Sequence, residues 1–204
     1  MSHKIITIGR QFGSGGSEIG ELTANALGIP FYDRELIEMA SQEMGIDSFD
    51  LERVDETAMS RFRILRPDPA AAINAVTGYG MPLNDSMYLT QRILIEKLAE
   101  KGPCVFVGRC ADVILKDRHP CVNVFICASK KDRIARITER YFISERQAAE
   151  AIRKVDRKRR FYYESYTDAE WGSIDSHQAL LNVSMLGKER TIQIIKDMYL
   201  HEEN

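Results

Sequence analysis

The stretch Ile5–Gly20 (IITIGRQFGSGGSEIG) restricts this chain more than any other. A β-branched run from Ile5 to Ile8 breaks into a turn carrying Gly13, Gly15 and Gly16. A Ser-led segment follows, with Ile19, Leu22 and Ala26 at helical spacing. Strand, glycine loop and helix in that order turn backbone N–H groups and a helix N-terminus toward an anion. Glycine suits such a loop because it adopts positive φ and lets a phosphate approach the backbone. Against the pattern G-x-x-x-x-G-K-[ST], Gly15 takes the second glycine position and Ser17 the hydroxyl position. Gly16 then stands where the lysine belongs and Arg10 where the first glycine belongs, with Gly9 one residue out of register. The sequence predicts a phosphate loop of Gly13, Ser14, Gly15, Gly16 and Ser17 that has lost its cation.

A chain of 204 residues can bury one full domain, and 44% apolar with 28% charged residues is the balance of an ordinary globular protein. Its net charge of −2 gives no global attraction to nucleic acid or to an anionic membrane. Cys104, Cys110, Cys121 and Cys127 show neither C-x-x-C pairing nor a histidine at zinc spacing, so buried reduced thiols are expected. His3, His119, His177 and His201 are scattered and predict no histidine-based hydrolase or metal site. The start, MSHKIITIG, lacks a signal-peptide pattern, and no apolar run approaches the roughly 18 residues of a membrane span. The expectation is a cytoplasmic protein without a membrane partner.

Along the chain, Ser17–Leu27 reads as a helix ended by Gly28, with Pro30 beyond it. A short apolar segment, Ile29–Tyr32, closes on Asp33 and Arg34, and Glu35–Gly45 is helical again. From Asp47 to Asp85 the pattern loosens around Pro67, Pro69, Gly78, Gly80 and Pro82, which suggests a helical insertion rather than core. Ser86–Lys101 is an amphipathic helix. Cys104–Val107 and Val122–Cys127 are continuous apolar runs that suit strands buried on both faces. Between them a short helix runs to Leu115. Lys130–Tyr141 and Ser144–Phe161 follow as helices, the second opened by a Ser144/Gln147 capping box. Leu180–Val183 reads as a last strand and Gly187–Tyr199 as a terminal helix. Strands alternating with helices predict a three-layer α/β fold around a mostly parallel sheet.

In that fold, ligands sit at the carboxyl ends of the strands. Those ends carry Arg10 with the glycine loop, Asp33 and Arg34, Gly108 and Arg109 with Asp112, and Ser129. Arginines and carboxylates beside a phosphate loop suit phosphoryl transfer, where the protein mainly positions groups and neutralises charge. A second cluster comprises Arg133, Arg136 and Arg140, then Arg153, Asp156, Arg157, Arg159 and Arg160. The first three repeat at helical spacing and share one face. Two basic helices joined near Phe142–Ser144 can close as a lid over a polyphosphate and exclude water. Phe161, Tyr162, Tyr163 and Tyr166 follow, and aromatics with arginines also hold single-stranded nucleic acid. The acidic overall balance weighs against that partner.

The segments ITIGRQFGSGG, GIPFYDRELI, CVFVGRCADVIL, VFICASKKDRIARI and KVDRKRRFYYESYTDAEW together resemble the P-loop nucleoside-monophosphate kinases. The resemblance is strongest to the cytidylate kinase-like proteins and runs over nearly the full length. It implies a single P-loop kinase-like domain, 1–204, with an NMP-binding insertion at about 35–101 and a lid at about 141–168. It also implies ATP as donor with Mg²⁺, the metal reached through Ser17. Arg10, Arg109, Arg136 and Arg159 are the expected catalytic groups, and Arg140, Arg153, Arg157 and Arg160 the lid cations. Asp33, Arg34, Arg109, Asp112 and Asp156 are expected to hold the acceptor. The chain departs from the pattern twice. The loop lysine is absent, and Cys110 replaces the Asp that follows Gly-Arg in true cytidylate kinases and helps hold the sugar. Arg10, a bidentate phosphate ligand by type, is the expected substitute for the lysine.

The leading reading is therefore a kinase acting on a nucleoside monophosphate such as CMP or dCMP. The alternative is a nucleotide-binding protein for sensing or assembly, without kinase activity. A dinucleotide-dependent oxidoreductase fits Asp33 but fails at Glu18, which puts a negative charge where G-x-G-x-x-G needs its last glycine. The apolar stretch Ala70–Ala75 is core or a contact surface, which leaves a homo-oligomer open.

Overall fold

The computed structural model of the protein describes residues 4–33, 42, 83–117 and 120–201. Its elements are β1 (Ile5–Arg10), α1 (Gly16–Leu27), β2 (Phe31–Tyr32), α2 (Leu83–Lys101), β3 (Val105–Val107) and α3 (Ala111–Leu115). They continue as β4 (Cys121–Cys127), α4 (Lys130–Tyr141), α5 (Glu145–Tyr166), β5 (Ala179–Asn182), α6 (Val183–Leu186) and α7 (Lys188–Leu200). The strands lie in the order β2-β3-β1-β4-β5, every neighbouring pair parallel. The expected three-layer α/β fold with a parallel sheet is the fold found. The helix expected over Glu35–Gly45, the insertion at Asp47–Asp85, the Ala70–Ala75 stretch, Arg34, His3 and His119 lie outside the described residues, Gln42 apart.

The strands read as unbroken apolar runs because both faces are covered. Ile5 and Phe106 point into one core with Leu94, Ile95 and Leu98 of α2 and Leu115 of α3. Ile6, Ile8, Val105 and Val107 point the other way, against Ile19 and Ala24 of α1 and Ile195 of α7. Burying such a side chain fully is worth about 1.5–3 kcal/mol, so the two clusters hold the sheet between its helices. Thr7 is the polar exception inside β1, and its hydroxyl bonds Oδ1 of Asn123 at 2.6 Å.

Several boundaries follow local chemistry. Gly28 closes α1 at φ 67°, its N–H reaching the carbonyls of Ala24 and Asn25. Ser144 and Gln147 form the expected capping box. Helix α5 runs five residues past the expected end at Phe161, to Tyr166. The extension is held by packing: Tyr163 is buried, and Tyr166 stacks on Tyr88 of α2 with centroids 4.3 Å apart. A short helix, α6, also separates β5 from α7, capped by the Asn182 side chain. Among the described residues no helix is long and apolar enough to cross a membrane.

Candidate active site at the carboxyl ends of the strands

Strand β1 occupies the middle of the sheet, with later strands added on both sides, so its carboxyl end opens where ligands bind in such folds. The loop between β1 and α1 forms there. Gly13 and Gly15 take φ of 82° and 84°, a region costly for residues with a Cβ. Helix α1 has no side-chain cap, so the N–H groups of its first turn are left to the loop. Ser14 braces the turn, its hydroxyl bonding the Gln11 carbonyl at 2.8 Å.

Two far residues clamp the loop from outside. The Phe12 N–H donates to Oδ1 of Asp156 on α5 at 2.8 Å, and Nε of Arg133 on α4 donates to the Phe12 carbonyl at 2.7 Å. Arg133 and Asp156 are ion-paired with each other, and Arg133 is only 6% exposed. Oδ1 of Asp156 thus takes the Phe12 N–H and Oδ2 takes Arg133, so both oxygens have partners in the clamp on the loop.

Ser17, Asp33 and Arg10 form the floor. The Ser17 hydroxyl donates to Oδ2 of Asp33, and Nη2 of Arg10 pairs with Oδ1 at 3.2 Å. The Arg10 side chain is 10% exposed. A Cβ on Gly108 would land on its Nη1, and one on Gly16 would stand 2.6 Å from its Cβ. Arg10 therefore runs from the phosphate loop across to the end of β3. For Mg²⁺, which prefers oxygen ligands and keeps several waters, a hydroxyl and a carboxylate brought together beside the loop are a fitting donor pair. Among the described residues no group of three or more His, Cys, Asp or Glu is placed to hold a metal by itself.

Beside this floor lies a cavity of about 380 Å³ whose lining includes the cations Arg10, Arg109, Arg157 and Arg159 and the aromatics Phe125, Tyr162, Tyr166 and Trp171. Its edge at β3 is a left-handed turn: Gly108, Arg109 and Cys110 have φ of 73°, 62° and 56°. Arg109 and Cys110 carry that conformation without being glycine, a strain that tends to persist at functional sites. Arg109 is 9% exposed. Asp112, three residues on, accepts a 2.6 Å hydrogen bond from Tyr163 and lies 4.0 Å from Nε2 of His177. Burial pushes the Asp112 carboxyl above its ordinary value, opposed by the Tyr163 hydrogen bond and by His177. Burial, with Asp112 adding to it, raises the Tyr163 phenol as well.

The expected arginines separate into distinct places. Arg159 reaches the Arg10 carbonyl at 3.3 Å and lies over the Phe12 ring. Arg136 is at the loop, ion-paired with Glu18. Arg140 covers Tyr141 at the hairpin end. Arg153 and Arg160 line a neighbouring cleft, which Arg157 also borders. Sequence reasoning passed over Phe125, Trp171 and His177. Tyr162, Tyr163 and Tyr166, which the sequence places beside the lid arginines, line the cavity. The available signal was helical phase: Asp156, Arg159 and Tyr163 recur at three and four, one face of α5.

The sequence matches the cytidylate kinase-like family over residues 5–185, and the chain belongs to that family. No curated protein matches it significantly. Among solved structures, an uncharacterized protein from Eubacterium ventriosum is similar at TM-score 0.72 with 25% identity, over 98% of this chain and 100% of that one. Shikimate kinase from Bacteroides thetaiotaomicron follows at TM-score 0.53 and 13% identity, over 97% and 98% of the two chains. A gluconokinase from Sinorhizobium meliloti aligns at TM-score 0.50 and 14% identity, over 98% of each. At those identities the two kinases speak for the fold.

Proposed function

We propose that this protein is a kinase that transfers the γ-phosphoryl group of ATP to a small acceptor, a nucleoside monophosphate of the CMP or dCMP type. The observation that carries the reading is the cavity at the end of β1, whose walls combine guanidinium and aromatic side chains. A phosphate with a planar base attached suits those walls, because guanidinium groups take phosphate oxygens in pairs and rings stack on bases. In the transfer, the bond from the γ-phosphorus to the bridging oxygen breaks, an acceptor phosphate oxygen forms the new P–O bond, and ADP leaves. Arg10, lying between the loop and the cavity, and Arg159 beside it take the role of neutralising charge on the group in transit. Arg109 and Asp112 face the acceptor, and Ser17 with Asp33 would hold Mg²⁺, which supplies charge neutralisation across the phosphates. The α4–α5 hairpin, with Arg140, Arg153, Arg157 and Arg160, is the proposed lid.

A second reading is favoured by one feature. Gly16 stands in the lysine position, and both Asp33 oxygens already have partners in Arg10 and Ser17. A protein that binds nucleotide for sensing or assembly without transferring phosphate fits that feature. ATP consumption by purified protein, measured against nucleoside monophosphates, nucleosides, shikimate and gluconate with and without Mg²⁺, separates the two. Mg²⁺-dependent turnover with a monophosphate is expected. Turnover with shikimate or gluconate alone would remove the nucleotide acceptor, and ATP binding without turnover on any acceptor would favour the second reading.

A further inference from the structure

Glu18 stands one residue past Ser17, in the first turn of α1, and both its carboxylate oxygens are held by cations from elsewhere in the chain. Nη2 of Arg136 on α4 takes Oε2, and Nζ of Lys188 at the start of α7 takes Oε1. The two partners lie 118 and 170 positions away. Arg136 also lies against the loop itself, since a Cβ on Gly15 would stand 3.3 Å from its Cζ. Lys188 has a fixed base. Helix α7 buries Thr191 and Ile195, and Ile195 packs in the same core as Ile19 of α1.

An ionised carboxylate in the first turn of a phosphate-loop helix repels the anion such a loop attracts. Here it is more than neutralised, because one carboxylate with two cations sums to +1. The Lys188 contact, with Arg136 adding to it, keeps the Glu18 carboxyl below its ordinary value of 4.5 despite the opposing effect of burial. These cations are also reachable. The side chains of Arg136 and Lys188 are 36% and 39% exposed, while that of Arg10 is 10% exposed and directed toward Asp33.

We propose that Lys188, with Arg136, supplies to the donor nucleotide the positive charge that the lysine-less loop lacks, exchanging Glu18 for a phosphate group of ATP when the nucleotide binds. The inference rests on the kinase reading above, and it assigns Lys188 as a phosphate-binding residue brought to the loop from the last helix. A lysine is suited to the exchange: its flexible stem lets the ammonium swing from a carboxylate to a nearby, more highly charged partner. Glu18 acts as a placeholder that keeps both cations at the loop before the nucleotide arrives. The competing account is an ordinary surface ion pair, worth about 0–1 kcal/mol to the fold and nothing to binding.

The test is calorimetric titration of the full chain with ATP and with adenosine, for wild type, Lys188→Gln, Lys188→Arg, Glu18→Gln and Arg190→Gln, with melting temperatures taken alongside. Loss of one charge-assisted phosphate contact predicts about tenfold weaker ATP binding by Lys188→Gln. Lys188→Arg restores most of the affinity, and Glu18→Gln binds ATP more tightly than wild type because the competing carboxylate is gone. Arg190→Gln, which removes the same charge from an exposed site on the same helix, leaves affinity near wild type, and adenosine binding is unchanged throughout. ATP affinity in Lys188→Gln equal to wild type overturns the proposal. So does an equal loss in Arg190→Gln, or an equal loss for adenosine. Wild-type protein that binds no ATP at all would remove the kinase reading together with this one, whereas wild-type binding with an unaffected Lys188→Gln removes this one alone.

Discussion

The phenol of Tyr163 on α5 donates a 2.6 Å hydrogen bond to Oδ2 of Asp112 on α3, tying the helix that carries Arg157 and Arg159 to the turn that carries Arg109. Asp156 grips the Phe12 N–H and Arg159 the Arg10 carbonyl, so α5 meets the phosphate loop, the β1 end and the helix that follows the β3 turn in succession. Any movement of a lid must be accommodated N-terminal to these ties, toward the hairpin at Phe142, or must break them.

Tyr163→Phe removes the hydrogen-bond donor from a carboxylate that burial already disfavours, and is expected to cost about 1–3 kcal/mol of stability. Asp112→Asn keeps an oxygen to accept the bond and removes the buried charge. The sign follows from the raised Asp112 value. An acid that holds its proton more tightly in the folded state costs nothing below its ordinary 3.8, and destabilises increasingly as pH rises toward the folded value. Among the described residues, Tyr163 and His177 act on it directly, and Cys110 and Cys121 lie close enough to feel its charge. Denaturant unfolding at pH 4 and pH 8 should therefore show Asp112→Asn gaining on wild type as pH rises, even while acceptor turnover falls. A variant that loses ground at pH 8 would mean that His177 and Tyr163 compensate the charge fully.

Gly108→Ala should inactivate without unfolding. The position has φ 73°, which costs alanine about 1 kcal/mol, and the new Cβ would land on Nη1 of Arg10 and push away the guanidinium whose Nη2 pairs with Asp33. We expect a melting temperature a few degrees lower, turnover reduced by more than about tenfold, and ATP affinity little changed, because Arg10 then fails at the transferred group and not at the donor. Loss of ATP binding equal to the loss of turnover would instead put Arg10 on the donor phosphates.

The readable parts of this chain were those decided within a few residues. The run Ile5–Ile8 followed by glycines gave β1, the loop and α1, and Ser144 with Gln147 gave the start of α5. What escaped was decided by contacts across the chain. Phe12 and Asp156 are 144 positions apart, and Asp112 and Tyr163 are 51 apart. His177 looked like one of four scattered histidines, because nothing local says that its ring will be buried near Asp112 and against Phe125. The length of α5 was misjudged for the same reason. Its last turn is stabilised by Tyr88 and by the core, and the residues FYYESY alone carry no stop or start signal.

All four cysteines should resist a disulfide reagent in the native protein at pH 8. Burial raises the thiols of Cys104 to about 12 and Cys121 to about 11, and raises Cys110 and Cys127 as well. The thiolate is the reactive form, so little is present at that pH. A colour assay should release the four equivalents only after denaturation. Rapid native labelling of any one, located by peptide mapping, would place that sulfur in a more open setting than the fold gives it.

The Arg133–Asp156 pair separates stability from loop geometry. Asp156→Ala strands a guanidinium that is 6% exposed and leaves the Phe12 N–H without its acceptor, and breaking a buried pair in this way costs about 3–5 kcal/mol. Replacing both partners by apolar side chains of similar size, Arg133→Met with Asp156→Leu, leaves no buried charge and should recover much of that loss. It should not recover nucleotide binding, because neither replacement can hold the N–H and carbonyl of Phe12 and the glycine loop loses its outer clamp. Thermal unfolding and ATP titration on the single and double variants check both halves. Full recovery of ATP affinity in the double variant would show that the loop keeps its shape without the clamp, leaving the pair a role in the core alone.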